Sequence, residues 1–260
     1  MNKITYALTL GAGLVLSVAA PNAQADPMVD TLTPTQMSAS TFNSLFTPST
    51  AVLTSNYAFM NTPNAGVVES QVFTGTGAAA GLYAYAYQFG VNNVQDTSIN
   101  QPTSVNSASE LFNATPAGSN LTGTGMTYAY VITNGQVGGI NLPQAAPGSV
   151  VQTPSSIAWL PSSTTGSLTF QYLNPTTSTG PLGAGAMSGT IVVMSTQPFT
   201  EHYVSLQNPE PQTLYPWAYS PTAGQIGGIP APEPATILGW TSVIAGLAVG
   251  HRFRRKHKTA

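Results

Sequence analysis

The run Leu82-Tyr83-Ala84-Tyr85-Ala86-Tyr87-Gln88-Phe89-Gly90-Val91 decides the fold. Tyr83, Tyr85, Tyr87 and Phe89 alternate with Ala84, Ala86 and Gln88. In a strand, successive side chains point to opposite faces. This spacing therefore predicts an aromatic row on one face and a small row on the other, as in a half-buried strand. The same rings would suit a sugar-stacking platform if they lay open. Core packing is the expectation, because aromatic side chains bury large areas and dominate core energetics.

The pattern repeats outward from this run. Gly66–Phe73 is a candidate strand upstream. Thr127–Thr133 repeats the Tyr-Ala-Tyr theme and ends at Asn134-Gly135, a hairpin signal. Ser156–Leu160 is a short candidate stopped by Pro161. Ser167–Leu173 places Leu168, Phe170 and Tyr172 on one face, and the β-branched Thr190–Met194 reads as a central strand. His202–Leu206 is a further candidate. Twenty-one prolines and 25 glycines separate these runs and argue against long helices. The expected fold is mainly β: an antiparallel β-sandwich or jelly-roll-like domain over residues 26–206. Within it, Asp26–Thr50 reads as a mobile leader or an edge strand, with one helical turn at Thr41–Phe46. Leu111–Gly125 and Asn134–Ser155 read as long surface loops. Residues 207–230 hold Pro209, Pro211, Pro216 and Pro221 with Gly224, Gly227 and Gly228, a composition that predicts an exposed linker.

Charge is scarce and segregated. Charged residues make up 5% of the 260, against about 25% in an ordinary soluble protein. No Lys or Arg lies between Ile4 and His251, whereas all eight acids do. Residues 26–232 thus carry seven acids and no Lys or Arg, a charge near −7. Nothing there neutralises phosphates, which excludes a nucleic-acid footprint. The absence of cysteine excludes disulfides, thiol catalysis and zinc-thiolate or iron–sulfur sites.

The two ends read as addresses. Met1–Ala25 has Lys3, an apolar run from Tyr6 to Ala20, and Ala23-Gln24-Ala25 as a small-x-small cleavage site. That is a secretory signal, with Ala23 and Ala25 presented to signal peptidase. At the other end, Pro232-Glu233-Pro234 precedes the apolar residues 235–250, and the basic residues Arg252, Arg254, Arg255, Lys256 and Lys258 follow. Sixteen residues make a helix of roughly 24 Å, shorter than the ~30 Å hydrocarbon core. It suits a transient anchor. The basic cluster fixes that end in the cytoplasm by the positive-inside rule, leaving Glu233 at the outer interface between two prolines that hold its backbone extended.

Motif, apolar segment and basic cluster in this order, over residues 231–258, resemble the PEP-CTERM sorting tail of exported Gram-negative proteins. The resemblance implies recognition of Pro232, Glu233 and Pro234 by an exosortase, a membrane-embedded cysteine transpeptidase that cleaves near the motif. It implies an inner-membrane-tethered intermediate, then release to the cell surface or extracellular space. A part in exopolysaccharide or biofilm follows by analogy alone. Trp240, Thr241 and Ser242 depart from the usual Leu- and Gly-rich helix.

Catalytic motifs do not appear. His202, beside Glu201, is the sole histidine between the two end segments, and neither an H-E-x-x-H motif nor a nucleophile elbow is present. Glu69, Asp96, Glu110, Glu201 and Glu210 show no spacing that marks a glycosidase pair. Gly75-Thr76-Gly77 and Gly123-Thr124-Gly125 lack the lysine of a phosphate loop, and Asp26 and Asp30 lack calcium-loop spacing. The expectation is a non-enzymatic surface or matrix protein with no cofactor, metal or catalytic residue. Two other readings stand beside it. One is a carbohydrate- or cation-binding module using exposed rings such as Trp159 or Trp217. The other is a secreted hydrolase built from dispersed acids.

Overall fold

Thr62–Gly75 and Tyr83–Val91 form the longest ladder of the molecule, antiparallel from Gly66 opposite Val91 to Thr74 opposite Tyr83. The computed structural model describes residues 29–140, 151–162, 165–174 and 179–224. Of these, 56% lie in strands or bridges and 6% in helices. Around the long ladder a back sheet runs in the order Gln212–Leu214, Leu53–Phe59, Thr62–Gly75, Tyr83–Val91, Thr190–Ser195, Ala129–Ile132, Thr35–Gln36. Along this order every pair is antiparallel except the last, and off it Val151–Gln152 pairs in parallel with Met187–Ser188. A front sheet of six antiparallel strands runs Asp30–Leu32, Ser156–Pro161, Gly166–Gln171, Ser107–Leu111, Phe199–Gln207, Trp217–Pro221.

The sheets face each other across one core. Tyr85, Tyr87 and Phe89 from the back sheet meet Trp159, Leu168, Phe170, Val204 and Leu206 from the front. Phe170 lies 5.7 Å from Tyr87 and 5.6 Å from Phe89, ring centre to ring centre. Two of the buried tyrosines reach backbone carbonyls with their polar tips. The Tyr87 hydroxyl donates to the Tyr219 carbonyl at 2.8 Å, and that of Tyr57 donates to the Gly90 carbonyl at 2.9 Å. Burial pushes both phenols well above their ordinary pKa. Trp159 is wholly buried because Gly166, near its own strand's end, leaves the indole room: a Cβ there would lie 1.7 Å from the ring.

The aromatic face of Tyr83–Val91 is inward, as its alternation predicts, but the strand is buried on both faces. Its small residues Ala84 and Ala86 enter a second core with Phe73, Tyr130, Ile132, Val192 and Met194. The cover comes from the supposed leader. Ser38 caps a helix over Ala39–Leu45, its hydroxyl accepting from the Thr41 N–H at 3.1 Å. Phe42 and Phe46 from this segment stack at 4.9 Å, and Phe42 meets Phe73 edge-on at the same distance. The expected turn at Thr41–Phe46 is thus a seven-residue helix, and of the two readings of this segment the edge strand holds: Asp30–Leu32 ends the front sheet and Thr35–Gln36 the back sheet.

Three more expectations are corrected. Asn134-Gly135 closes no hairpin: the Ala129–Ile132 strand pairs with Thr190–Ser195 and Thr35–Gln36, and Gly135 turns the chain at φ +81° toward buried Val137 and Ile140. The supposed surface loop after Leu111 starts inside, where Phe112 packs edge-on against Tyr85 and Trp159. The predicted linker over 207–230 is folded as far as Pro221, since Gln212–Leu214 and Trp217–Pro221 join the back and front sheets respectively. Beyond Gly224 the linker and the sorting tail lie outside the described residues. So does the signal segment over 1–25. Among the described residues no helix is long and apolar enough to cross a membrane.

Candidate ligand-binding surface

Alternation places three rings in the open. In Phe199–Gln207 the side chains of Val204 and Leu206 are buried, so Glu201, Tyr203 and Ser205 face outward. Tyr203 stands directly opposite Trp217 in the antiparallel register. Their ring centres are 3.9 Å apart at an interplanar angle of 42°, and Tyr215 approaches Tyr203 at 6.4 Å and 66°. Tyr203 is 56% exposed, Tyr215 51% and Trp217 39%. Backbone bonds hold the corner: the Val204 N–H donates to the Pro216 carbonyl at 2.8 Å, and the Trp217 N–H to the Ser55 hydroxyl at 3.0 Å. A further serine, Ser70, accepts from the Tyr219 N–H at 3.0 Å. Ser55 and Ser70 belong to the back sheet, so their hydroxyls stitch the last front strand to it.

The outer face beside this corner carries a row of hydroxyls, with exposed Glu201 and Leu160 on the same face. Ser205 lies opposite Ser109, and Ser109 opposite Thr169, on three adjacent strands. The Ser109 and Thr169 hydroxyls are 3.0 Å apart. In the next outward row the Ser107 hydroxyl donates to the Gln207 side-chain oxygen at 3.0 Å. Among the described residues no helix covers these positions, of which Ser205 is exposed, Ser109 and Thr169 half-buried and Ser107 buried.

The titratable groups gather elsewhere. Glu110 points into the core from Ser107–Leu111, between Leu168 and Val204 in register, and is 1% exposed. Neither carboxylate oxygen has a hydrogen-bond partner. Desolvation raises its pKa well above the ordinary carboxylate value, favouring the protonated form. His202 meets the Asn113 amide at 3.3 Å through its Nε2. Asp96 folds into its own turn, accepting from the Ser98 hydroxyl at 2.7 Å and from the Ser98 and Ile99 N–H groups. The Ser98 hydroxyl is the largest cause of its lowered pKa, burial opposing it. The Asn61 amide donates to Ser98 Oγ and to Glu210 Oε1 and so joins the Asp96 turn to Glu210. Among the described residues no three His, Asp or Glu gather as metal ligands.

Of the rings singled out from sequence, Trp217 is on the surface and Trp159 is core. Tyr203 and Tyr215 were missed as partners of Trp217. The alternation of Tyr203 with Val204 and Leu206 carried the signal, obscured by the reading of residues past 206 as linker. Ala23, Ala25, Pro232, Glu233, Pro234 and the five basic residues from Arg252 to Lys258 lie outside the described residues. Compared with known proteins, the chain matches no family model, no curated protein and no solved structure.

Proposed function

We propose that this chain is an exported bacterial surface or extracellular-matrix protein with a non-enzymatic interaction role, sorted through its C-terminal tail. The carrying observation is the partition of charge. Five of the six basic residues follow Gly250, immediately after the Pro232-Glu233-Pro234 motif and an apolar segment, and an acidic body without Lys or Arg precedes them. Signal peptidase would act after Ala25, and an exosortase-type transpeptidase near Glu233. Comparing the C-terminal mass of the mature protein in cells with and without that enzyme tests the reading. Loss of the residues beyond the motif is expected only when the enzyme is present, and an intact chain through Ala260 in both strains would sink it.

The open Tyr203–Trp217–Tyr215 corner favours one form of that role, a carbohydrate-binding module. Its rings are exposed and mutually packed, and the face they border carries a row of hydroxyls and no Lys or Arg. The hydrolase reading gains no such support: Glu110 is sealed in the core, apart from the histidine and from the Asp96–Glu210 group.

A further inference from the structure

We infer that the outer face of the front sheet binds a neutral polysaccharide, anchored on Trp217 and Tyr203 and continued along the hydroxyl row Ser205, Ser109 and Thr169. This deepens, and rests on, the carbohydrate-binding form of the proposed role. Three observations converge on it. First, Tyr203, Tyr215 and Trp217 are exposed yet held in one packed group, so each ring offers a fixed apolar face with little rotamer freedom left to lose. The axial C–H face of a pyranose stacks on such a ring. Second, the three hydroxyls stand on adjacent strands about 4.8 Å apart, each on a neighbour in register with the next. They can donate and accept, the same dual character as sugar hydroxyls. The row lies one step along the strand from the aromatic corner, since Ser205 follows Tyr203 by two residues on the same face, and a chain stacked on the corner reaches it by running obliquely across the strands.

Third, charge decides the class. The body carries about seven negative charges and no Lys or Arg, and exposed Glu201 sits two residues from Tyr203 on the same face. An anionic polymer would be repelled and would find no cation to pair with. Phe199, Leu160 and Leu214 are also exposed, so a second copy of the chain is the competing occupant that the experiment must separate.

The full chain, purified in mild detergent, is tested by affinity electrophoresis through gels containing a neutral β-glucan, a mannan or a galactan, with alginate as the anionic control. Retardation by at least one neutral polymer, insensitive to salt, is expected, with alginate inert. Trp217→Ala and Tyr203→Ala should each weaken it by about tenfold, the share of a central aromatic anchor, while Trp217→Phe retains most of it. Thermal midpoints within a few degrees of the parent show that the variants fold. No retardation by any neutral polymer, stronger retardation by alginate, or full binding by a folded Trp217→Ala would overturn the inference. So would a concentration-dependent dimer that Trp217→Ala abolishes, since the corner would then be covered by a second copy. A chain that binds a neutral polymer but keeps its tail in cells loses the sorting reading alone. A trimmed chain that binds none loses the present inference alone.

Discussion

The outer faces of the two sheets differ in one respect, the side chains at outward strand positions. On the back sheet these include Phe73, Ala84, Ala86, Tyr130, Val192 and Met194, beside the polar Glu69, Gln71 and Gln88, and a helix with its flanking segment packs on the apolar ones. On the front sheet they include Ser109, Thr169, Ser205 and Gln207, and the face stays open. Apolar area left in water recruits whatever nearby chain can bury it, so the back sheet gained a second core and a third layer. Hydroxyls exert no such pull. The open face is thus available to a ligand, and three exposed rings form one corner of it.

The largest break in this comparison comes from removing the cover. Phe42→Ala deletes a fully buried ring between Phe46 and Phe73 and should cost about 3–5 kcal/mol, measured by urea unfolding. A loss under 1 kcal/mol would mean that the third layer is not integral to the fold. The core shared by both sheets responds next. Glu110→Leu removes a buried carboxyl without partners and should raise stability at pH 7 by about 1–3 kcal/mol.

The same residue sets a pH dependence. Its folded-state pKa is raised, so the unfolded chain loses the proton first, near pH 4.3. The stability it contributes is complete below that point and falls as pH rises through the folded value, at up to about 1.4 kcal/mol per unit. Unfolding midpoints of the parent should therefore fall between pH 5 and 7 relative to Glu110→Leu, and parallel curves would refute the assignment.

Gly166→Ala pushes a methyl into the Trp159 indole and should cost about 1–3 kcal/mol, read from the unfolding midpoint and from indole fluorescence as the ring shifts. The smallest effect belongs to the open face. Ser109→Ala should change stability by no more than about 0.5 kcal/mol. A larger loss would show that the Ser109–Thr169 hydroxyl pair is structural and that the two faces are less different than their burial indicates.

Much of this architecture is legible in the sequence wherever one strand face is apolar and the other is not. Leu168, Phe170 and Tyr172 alternate cleanly, as do Tyr83, Tyr85, Tyr87 and Phe89, and both runs are strands facing the shared core. The second core was not legible. Ala84 and Ala86 look the same whether they face solvent or a phenylalanine, and the covering helix is only seven residues long. The last strand was hidden by composition. Pro216 and Pro221 flank it, which reads as linker, yet Pro221 closes the pairing at Phe199 and Pro216 accepts from Val204 N–H. A proline is tolerated where no ladder N–H is needed. The aromatic corner was half legible for the same reason: Trp217 was visible, but its strand and its Tyr203 partner were not. The buried acid was legible only as a residue, because no spacing marks a carboxyl that folding places between two sheets.

The serine stitches give the final strand a mechanical meaning. Trp217–Pro221 is held by Phe199–Gln207 on one side and by the Ser55 and Ser70 hydroxyls on the other. It is also the last strand before the proposed tether. Any pull between a tethered C terminus and a polymer bound at the aromatic corner would enter the domain through these five residues. The strand would act as the shackle between anchor and cargo, and the two serines as its pins.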